Sequence, residues 1–281
     1  MPGPPALPGG RRADLHTHTH FSDGSLSPQA LVTLAVERRL AALSITDHDS
    51  IEALEPARAA AGAALEVVPG IELSSVLDEN ELHILGYYVD PLDESLAARL
   101  VRFREERLRC ALAIVERLNR LGLDLSPAGV VARAGPGVVG RPHIAAALVD
   151  AGHAASVDDA FRRLLGRAGQ VFIARPALTP GEAIALVHAA GGVGVLAHPG
   201  PSLSEQVVLQ LVEAGLDGIE VWHPQHGPAT VRRWRAVAAR HRLIETGGSD
   251  FHGPDRRVDL GEISVPAGVL ARLKEAAGAT G

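Results

Sequence analysis

Short apolar runs that alternate with helical stretches constrain this chain more than any other feature, because that rhythm builds a mainly parallel sheet covered by helices. The first run is Ala13 to His16, after which Ser27-Pro28 reads as the cap and first turn of a helix and Ala42-Leu43-Ser44-Ile45-Thr46 as the next strand. A helix from about Ser50 to Ala61, a strand at Leu65 to Val68 and an alternating segment, Leu82 to Val89, continue the series. It resumes with Val193 to Ala197, Asp217 to Val221, Leu243 to Thr246 and Glu262 to Val265. About eight strands with intervening helices predict an α/β fold, a (βα) barrel or barrel-like sheet.

The rhythm is interrupted between residues 93 and 180, where Asp93 to Leu121, Arg141 to Ala151 and Val157 to Leu165 read as helices joined by Gly/Pro-rich links such as Ala134-Gly135-Pro136-Gly137. The expected organisation is therefore a disordered Pro/Gly tail at 1–12, a barrel domain from 13–92 and 181–281, and a small helical domain inserted at 93–180. A chain of 281 residues suffices for one large core, or a core plus a small insert. No window approaches the roughly 18 uninterrupted apolar residues of a membrane span, and residues 1–10 lack the charged start and apolar stretch of a signal peptide. The expectation is a soluble cytoplasmic protein with no membrane partner.

The polar clusters fall at the carboxyl ends of the expected strands, where barrels of this type present reactive groups. His16, His18 and Asp23 follow the first strand, Thr46-Asp47-His48-Asp49 the second, and Gly70-Ile71-Glu72-Leu73 the third. Ala197-His198-Pro199-Gly200 follows the first strand after the insert, and Gly247-Gly248-Ser249-Asp250-Phe251-His252 closes the set; His83 alone sits early in its segment. In His16-Thr17-His18 the strand period of two turns both rings to one side, so they can share an ion. Cys110 is the only cysteine, which excludes thiolate-rich zinc sites and internal disulfides, so the ligands must be imidazole and carboxylate, a mixture suited to divalent zinc, manganese or iron. Lys274 is the only lysine, so Schiff-base and P-loop chemistry find no lysine near the early motifs. His188, His153 and His241 read as ordinary polar residues, and His20 is left unassigned. Asp14, Asp47 and Asp49 are expected to orient ligand imidazoles or cap helices.

With DLHTHTHFSDG, TDHD, PGIEL, AHPG and GGSDFHG in this order, the chain resembles the PHP (polymerase and histidinol phosphatase) family over about residues 13–92 and 181–265. Gly140-Arg141-Pro142-His143-Ile144-Ala145 extends the likeness to the branch of 3′,5′-nucleoside bisphosphate phosphatases and 5′ to 3′ exoribonucleases. The resemblance implies a distorted (βα)7 TIM-like barrel holding two to three divalent metal ions, with manganese the first choice and iron or zinc the alternatives. It implies one ion on His16, His18, Glu72 and Asp250, a second on Asp23, His48 and His252, and a third on Glu72, His83 and His198. Glu72 and Asp250 are then catalytic ligands, Glu72 bridging two ions.

Divalent ions acidify bound water and offset charge on phosphate oxygens, so the natural reaction is in-line hydrolysis of a terminal 5′-phosphate. His223 is the candidate proton donor to the leaving oxygen, with substrate positioning or loop packing as alternatives. Leu100, Phe103, Arg107, Cys110, Ile114 and Leu118 follow a 3-4 spacing in which Arg107 interrupts an apolar stripe. A cation there needs an anionic partner, either an internal Glu or a second phosphate on the substrate. Arg104, Arg141 and His143 could complete such a phosphate pocket with Arg107. The expected partner is a small nucleotide or short RNA, because a net charge of −6 does not fit an extended nucleic-acid groove. The expected substrate is a 3′,5′-nucleoside bisphosphate such as 3′-phosphoadenosine 5′-phosphate; a 5′ to 3′ exoribonuclease with RNA as its main substrate, a histidinol-phosphate or nucleoside monophosphate phosphatase, and a non-catalytic metal-stabilised interaction module are the alternatives.

Overall fold

The computed structural model describes residues 10–78, 80–135, 137–173 and 178–279. Eight strands form one sheet: β1 (Arg12–Asp14), β2 (Ala42–Ile45), β3 (Glu66–Leu77), β4 (Asn80–Tyr87), β5 (Val193–Leu196), β6 (Gly218–Trp222), β7 (Ile244–Gly247) and β8 (Val265–Pro266). Their order is β7-β6-β5-β4-β3-β2-β1-β8. The sheet rolls into a nearly closed barrel, since Leu15 N, just past β1, donates to Gly247 O at the end of β7, and Thr17 bridges Phe251. The helices are α1 (Pro28–Glu37), α2 (Leu54–Ala61), α3 (Glu94–Arg120), α4 (Pro127–Arg133), α5 (Arg141–Asp150), α6 (Val157–Ala160), α7 (Pro180–Ala189), α8 (Glu205–Glu213), α9 (Pro228–His241) and α10 (Val269–Ala279), with a π-helical turn at Phe161–Leu165.

Several helices start where a side-chain oxygen can take a free backbone N–H. Ser27, Asp93, Ser126, Thr179 and Ser204 each accept from the residue three positions on, a cap typically worth about 1 kcal/mol. The tail reading of residues 1–9 lies outside the described residues, whereas Arg12, placed in that tail, opens β1 opposite Pro266 and donates to Gly261 O. None of the described helices is long and apolar enough to cross a membrane.

Three departures from the sequence expectations have local causes. The strand expected at Leu65 to Val68 extends to Leu77, because β3 and β4 pair as a long antiparallel hairpin. The helix expected from about Ser50 begins only at Leu54, the turn before it being held by Ser50 N donating to Asp47 O. The last strand begins only at Val265, because the residues before it form a turn in which Glu262 N donates to Asp259 O and Gly261 N to Asp14 Oδ2.

The helical insert is not separated at residue 93. Leu96, Leu100 and Phe103 of α3 join the core between sheet and outer helices, while Ala111, Ile114, Val115 and Leu118 of the same helix join a second core with α4, α5 and the π-helical turn. Packing therefore changes hands within α3, between Phe103 and Ala111, and Arg107 stands at that crossing.

Candidate metal centre

Because β1, β2, β5, β6 and β7 run in parallel, the residues that follow them emerge at one mouth of the barrel. β4 runs antiparallel to both neighbours, so its early residues lie where the others end. This explains His83: pairing opposite Ser74 puts it at the same mouth as His16, His48 and His198.

His16 Nε2 and His18 Nε2 each lie 3.3 Å from Glu72 Oε2, and 3.4 and 3.2 Å from Asp250 Oδ1. Four ligand atoms arranged tetrahedrally about 2.0–2.2 Å from an ion would stand about 3.3–3.6 Å apart, so these four atoms have the spacing of a coordination shell. His252 Nε2 lies 3.2 Å from Asp23 Oδ1, and His48 Nε2 is 3.9 Å from the same oxygen. On the other side of Glu72, Oε1 meets His83 Nδ1 at 2.7 Å and His198 Nε2 at 3.0 Å. The nine residues implied as ligands thus form one connected cluster, with Glu72 contacting five of its histidines. The sets are less separate than the resemblance implied, for His18 also groups with Asp23, His48 and His252, and His48 with Glu72 and His83.

The donor atoms fit a divalent cation better than they fit one another. His18 Nε2, Asp23 Oδ1 and His48 Nδ1 are buried without a hydrogen-bond partner, although opposite groups stand within 4 Å. Buried polar atoms are rarely left so, and a nitrogen-and-oxygen set free of sulfur suits manganese, iron or zinc.

Electrostatics without an ion point the same way. Burial opposes the charge on His18, but Asp250 and Glu72 hold its pKa up at about 10; His83 is likewise held at about 9 against burial by Glu72. Burial pushes His48 down to about 3, aided by the positive His18 and His83. Burial also works against ionised Glu72, Asp250 and Asp23, yet the surrounding histidines keep all three well below the carboxylate range. Metal must therefore displace protons from His18 and His83 at neutral pH, and apparent affinity should rise with pH up to about 10. Calorimetric titration with manganese at pH 7, in buffers of different ionisation heat, should detect proton release; none would contradict these pairings.

The supporting aspartates do not touch the cluster as ligands. Asp14 accepts from Ser249 N, Ser249 Oγ and Gly261 N, and burial lifts its pKa to about 6. Asp47 accepts from Thr19 N, Thr19 Oγ1 and Ser22 Oγ, closing the loop that delivers Asp23. His198 and Asp250 take positive φ, +23° and +52°, a strain that clusters at functional sites. Gly248 passes so close to the first cluster that a Cβ would stand 2.4 Å from His16 N, so only glycine fits there.

A cavity of about 570 Å³ opens beside the cluster, lined by Asp23, His48 and His83 together with Arg107, Arg141 and His143. Arg107 has an internal partner, but it is Asp49 rather than a glutamate: Nε and Nη2 both reach Asp49 Oδ2, and Nη2 also donates to Ser74 Oγ. Arg141 donates to Glu81 Oε2 at 2.8 Å, and His143 Nδ1 accepts from Gly140 N at the start of α5. Arg104 does not join the pocket. Its side chain is half exposed, pairs with Glu52 and is absent from the cavity wall. His223 meets the cluster through Asp250 Oδ2 at 3.2 Å, not through the cavity wall.

Three residues escaped the sequence reading. Glu220 contacts His16 and His198, and a charged residue inside the apolar strand Gly218–Trp222 was a usable signal. His226 accepts from Gly200 N through Nε2 and bonds Val221 O through Nδ1, steadying the turn after His198. Arg167 lines the cavity from a loop with no periodic pattern. His188 pairs with Asp217 and His241 lies near Glu205, both outside the cluster.

A family model described as PHP domain matches residues 14–168. The chain is 38% identical over 265 residues to the 5′-3′ exoribonuclease Rnm of Escherichia coli, covering 91% of this chain and 90% of that protein. It is 33% identical over 255 residues to a 3′,5′-nucleoside bisphosphate phosphatase of Chromobacterium violaceum, covering 86% and 87%. A solved structure from Bifidobacterium adolescentis, described as a candidate metal-dependent phosphoesterase, superposes with a TM-score of 0.90 at 33% identity over 98% of each chain.

Proposed function

The chain belongs to the PHP family and is a metal-dependent hydrolase of phosphoesters; from that premise we propose that it removes the 5′-phosphate of 3′,5′-nucleoside bisphosphates, such as 3′-phosphoadenosine 5′-phosphate, and acts on short 5′-phosphorylated RNA. The observation that carries this reading is the cavity. It joins ligand residues Asp23, His48 and His83 to Arg107, Arg141 and Arg167, and its volume of about 570 Å³ falls in the range of small-molecule sites. Ile114, Ile144, Phe161 and Phe172 add an apolar lining suited to a base and ribose. A second phosphate, whether a free 3′-phosphate or the next phosphodiester, would meet the guanidinium groups, Arg107 through Nη1 because its Nε and Nη2 are engaged by Asp49.

Two to three divalent ions on the nine converging residues, manganese first and iron or zinc as alternatives, would supply Lewis-acid polarisation of the phosphoryl group and acidify the attacking water. The chain's own groups do the rest. Glu72 holds both halves of the cluster, Asp250 is fixed by His223, and Asp49 orients Arg107 toward the substrate. Exoribonuclease action as the main role is favoured by the 38% identity to a protein so named. The same cavity would then take the terminal nucleotide of an RNA.

The test is to purify the protein with manganese and offer 3′-phosphoadenosine 5′-phosphate, AMP, histidinol phosphate and a 5′-phosphorylated short RNA. Preference for the bisphosphate over AMP is expected, and equal turnover would sink the second-phosphate pocket. Arg141→Ala is the cleaner substitution, because Arg107→Ala would take the guanidinium away from Asp49, whose side chain is fully buried. Losing a charge-assisted hydrogen bond of about 1.5–3 kcal/mol should raise KM for the bisphosphate about 10- to 100-fold. The KM for AMP should hardly move, and parallel increases would remove Arg141 from substrate recognition.

A further inference from the structure

Ile219 and Val221 of β6 point outward into the core between sheet and helices, so strand alternation turns Glu220 into the barrel, where it is fully buried. Both of its oxygens are used. Oε1 lies 3.0 Å from His16 Nδ1, and Oε2 accepts from the backbone N–H of His198 at 2.7 Å.

We propose that Glu220 is a positioning carboxylate that sets His16 and His198 as metal ligands together, one on each side of Glu72. An ionised carboxylate only accepts hydrogen bonds, so its contact with His16 places a proton on Nδ1 and leaves the lone pair of the neutral ring on Nε2. Nε2 is the atom that stands 3.3 Å from Glu72 Oε2 and 3.4 Å from Asp250 Oδ1. The second contact pins the amide of a residue whose φ is +23°, and thereby aims its ring so that His198 Nε2 stands 3.0 Å from Glu72 Oε1. One buried charge thus fixes a ring tautomer and a strained backbone, and it offsets part of the charge of any ions held there.

An amide of the same shape cannot replace it. With its NH2 toward His16, glutamine would force Nδ1 to accept and put the proton on Nε2, taking the lone pair away from the centre. With its oxygen toward His16, its NH2 would face the N–H of His198, donor against donor.

The proposal rests on the metal-binding reading of the cluster, and metal retention tests the two separately. Wild-type, Glu220→Gln and Glu220→Asp proteins are dialysed against manganese, and their metal content and affinities are measured by atomic emission and calorimetry. Nitrogen NMR of the imidazoles in the zinc-loaded proteins reports which nitrogen of each ring is protonated. Glu220→Gln should bind about 10- to 100-fold more weakly at the positions that use His16 and His198 and should lose the Nδ1–H signal of His16. The position formed by Asp23, His48 and His252, none of which Glu220 contacts, should keep its affinity. A residue that merely packs would change neither the affinities nor the tautomer. Should Glu220→Gln fail to fold by circular dichroism, Glu220→Asp decides, since it keeps the charge but is one methylene too short to hold both contacts and should also bind metal more weakly. A wild-type protein that binds no metal would overturn the reading of the cluster itself. A loaded wild type matched in affinity and tautomer by a folded variant would overturn the role of Glu220 alone.

Discussion

Glu72→Gln is expected to cut phosphoester turnover by at least about 10²-fold, since losing even an outer-shell partner of a metal ligand typically costs about 10- to 100-fold in metal affinity or activity. The carboxylate stands at the geometric centre of the site: Oε2 faces His16, His18 and His48, and Oε1 faces His83 and His198. The amide removes a charge that both halves of the cluster use, and it places two donors among nitrogens that need a cation between them. Packing should survive, because Gln has nearly the same shape and Glu72 sits in β3 between the fully buried Ile71 and Leu73. Activity, metal content and circular dichroism should be read together. A folded Glu72→Gln protein that keeps its metal and its activity would overturn the bridging role.

What could be read from the sequence was what neighbours in sequence determine. Ser27-Pro28 announces α1 because cap and first turn are adjacent, and the His16-Thr17-His18 spacing works because strand alternation is local. What could not be read depends on which strands and helices meet. His83 looked misplaced at the start of its segment until the antiparallel pairing of β4 put that start at the barrel mouth. The stripe on α3 revealed that Arg107 needs an anion, but its partner lies 58 residues away in the loop after β2. Arg104, one turn before Arg107, groups with it by spacing alone, whereas in the fold it pairs with Glu52 near solvent and Arg107 with Asp49. Glu220 lies 204 residues from His16, and only closure of the barrel brings them together. Position 93 marked where the strand rhythm stops, whereas the cores change hands a few turns later inside one continuous helix.

Chelation should lower the thermal midpoint more than any surface substitution would. At about 1,000 times Kd, each filled position adds about 4 kcal/mol to stability. For domains somewhat smaller than this chain, each kcal/mol moves the midpoint about 2–4 °C, so one ion is worth about 8–16 °C. Without ions, the buried carboxylates of Glu72 and Glu220 and the partly buried ones of Asp250 and Asp23 are balanced chiefly by the surrounding histidines. That balance depends on pH with a definite sign. His18 and His83 have folded pKa values raised to about 10 and about 9, so their contribution is fully present below the unfolded value near 6.5 and is lost as pH rises through the folded values. An ion bound to unprotonated imidazoles carries no such penalty. The gap between metal-loaded and chelated midpoints should therefore widen from pH 6.5 to pH 9, which differential scanning fluorimetry with and without chelator would measure. A gap that closes as pH rises would mean that the histidines of the metal-free protein are not held protonated by these carboxylates, and identical midpoints throughout would mean that the cluster does not bind metal in the folded chain.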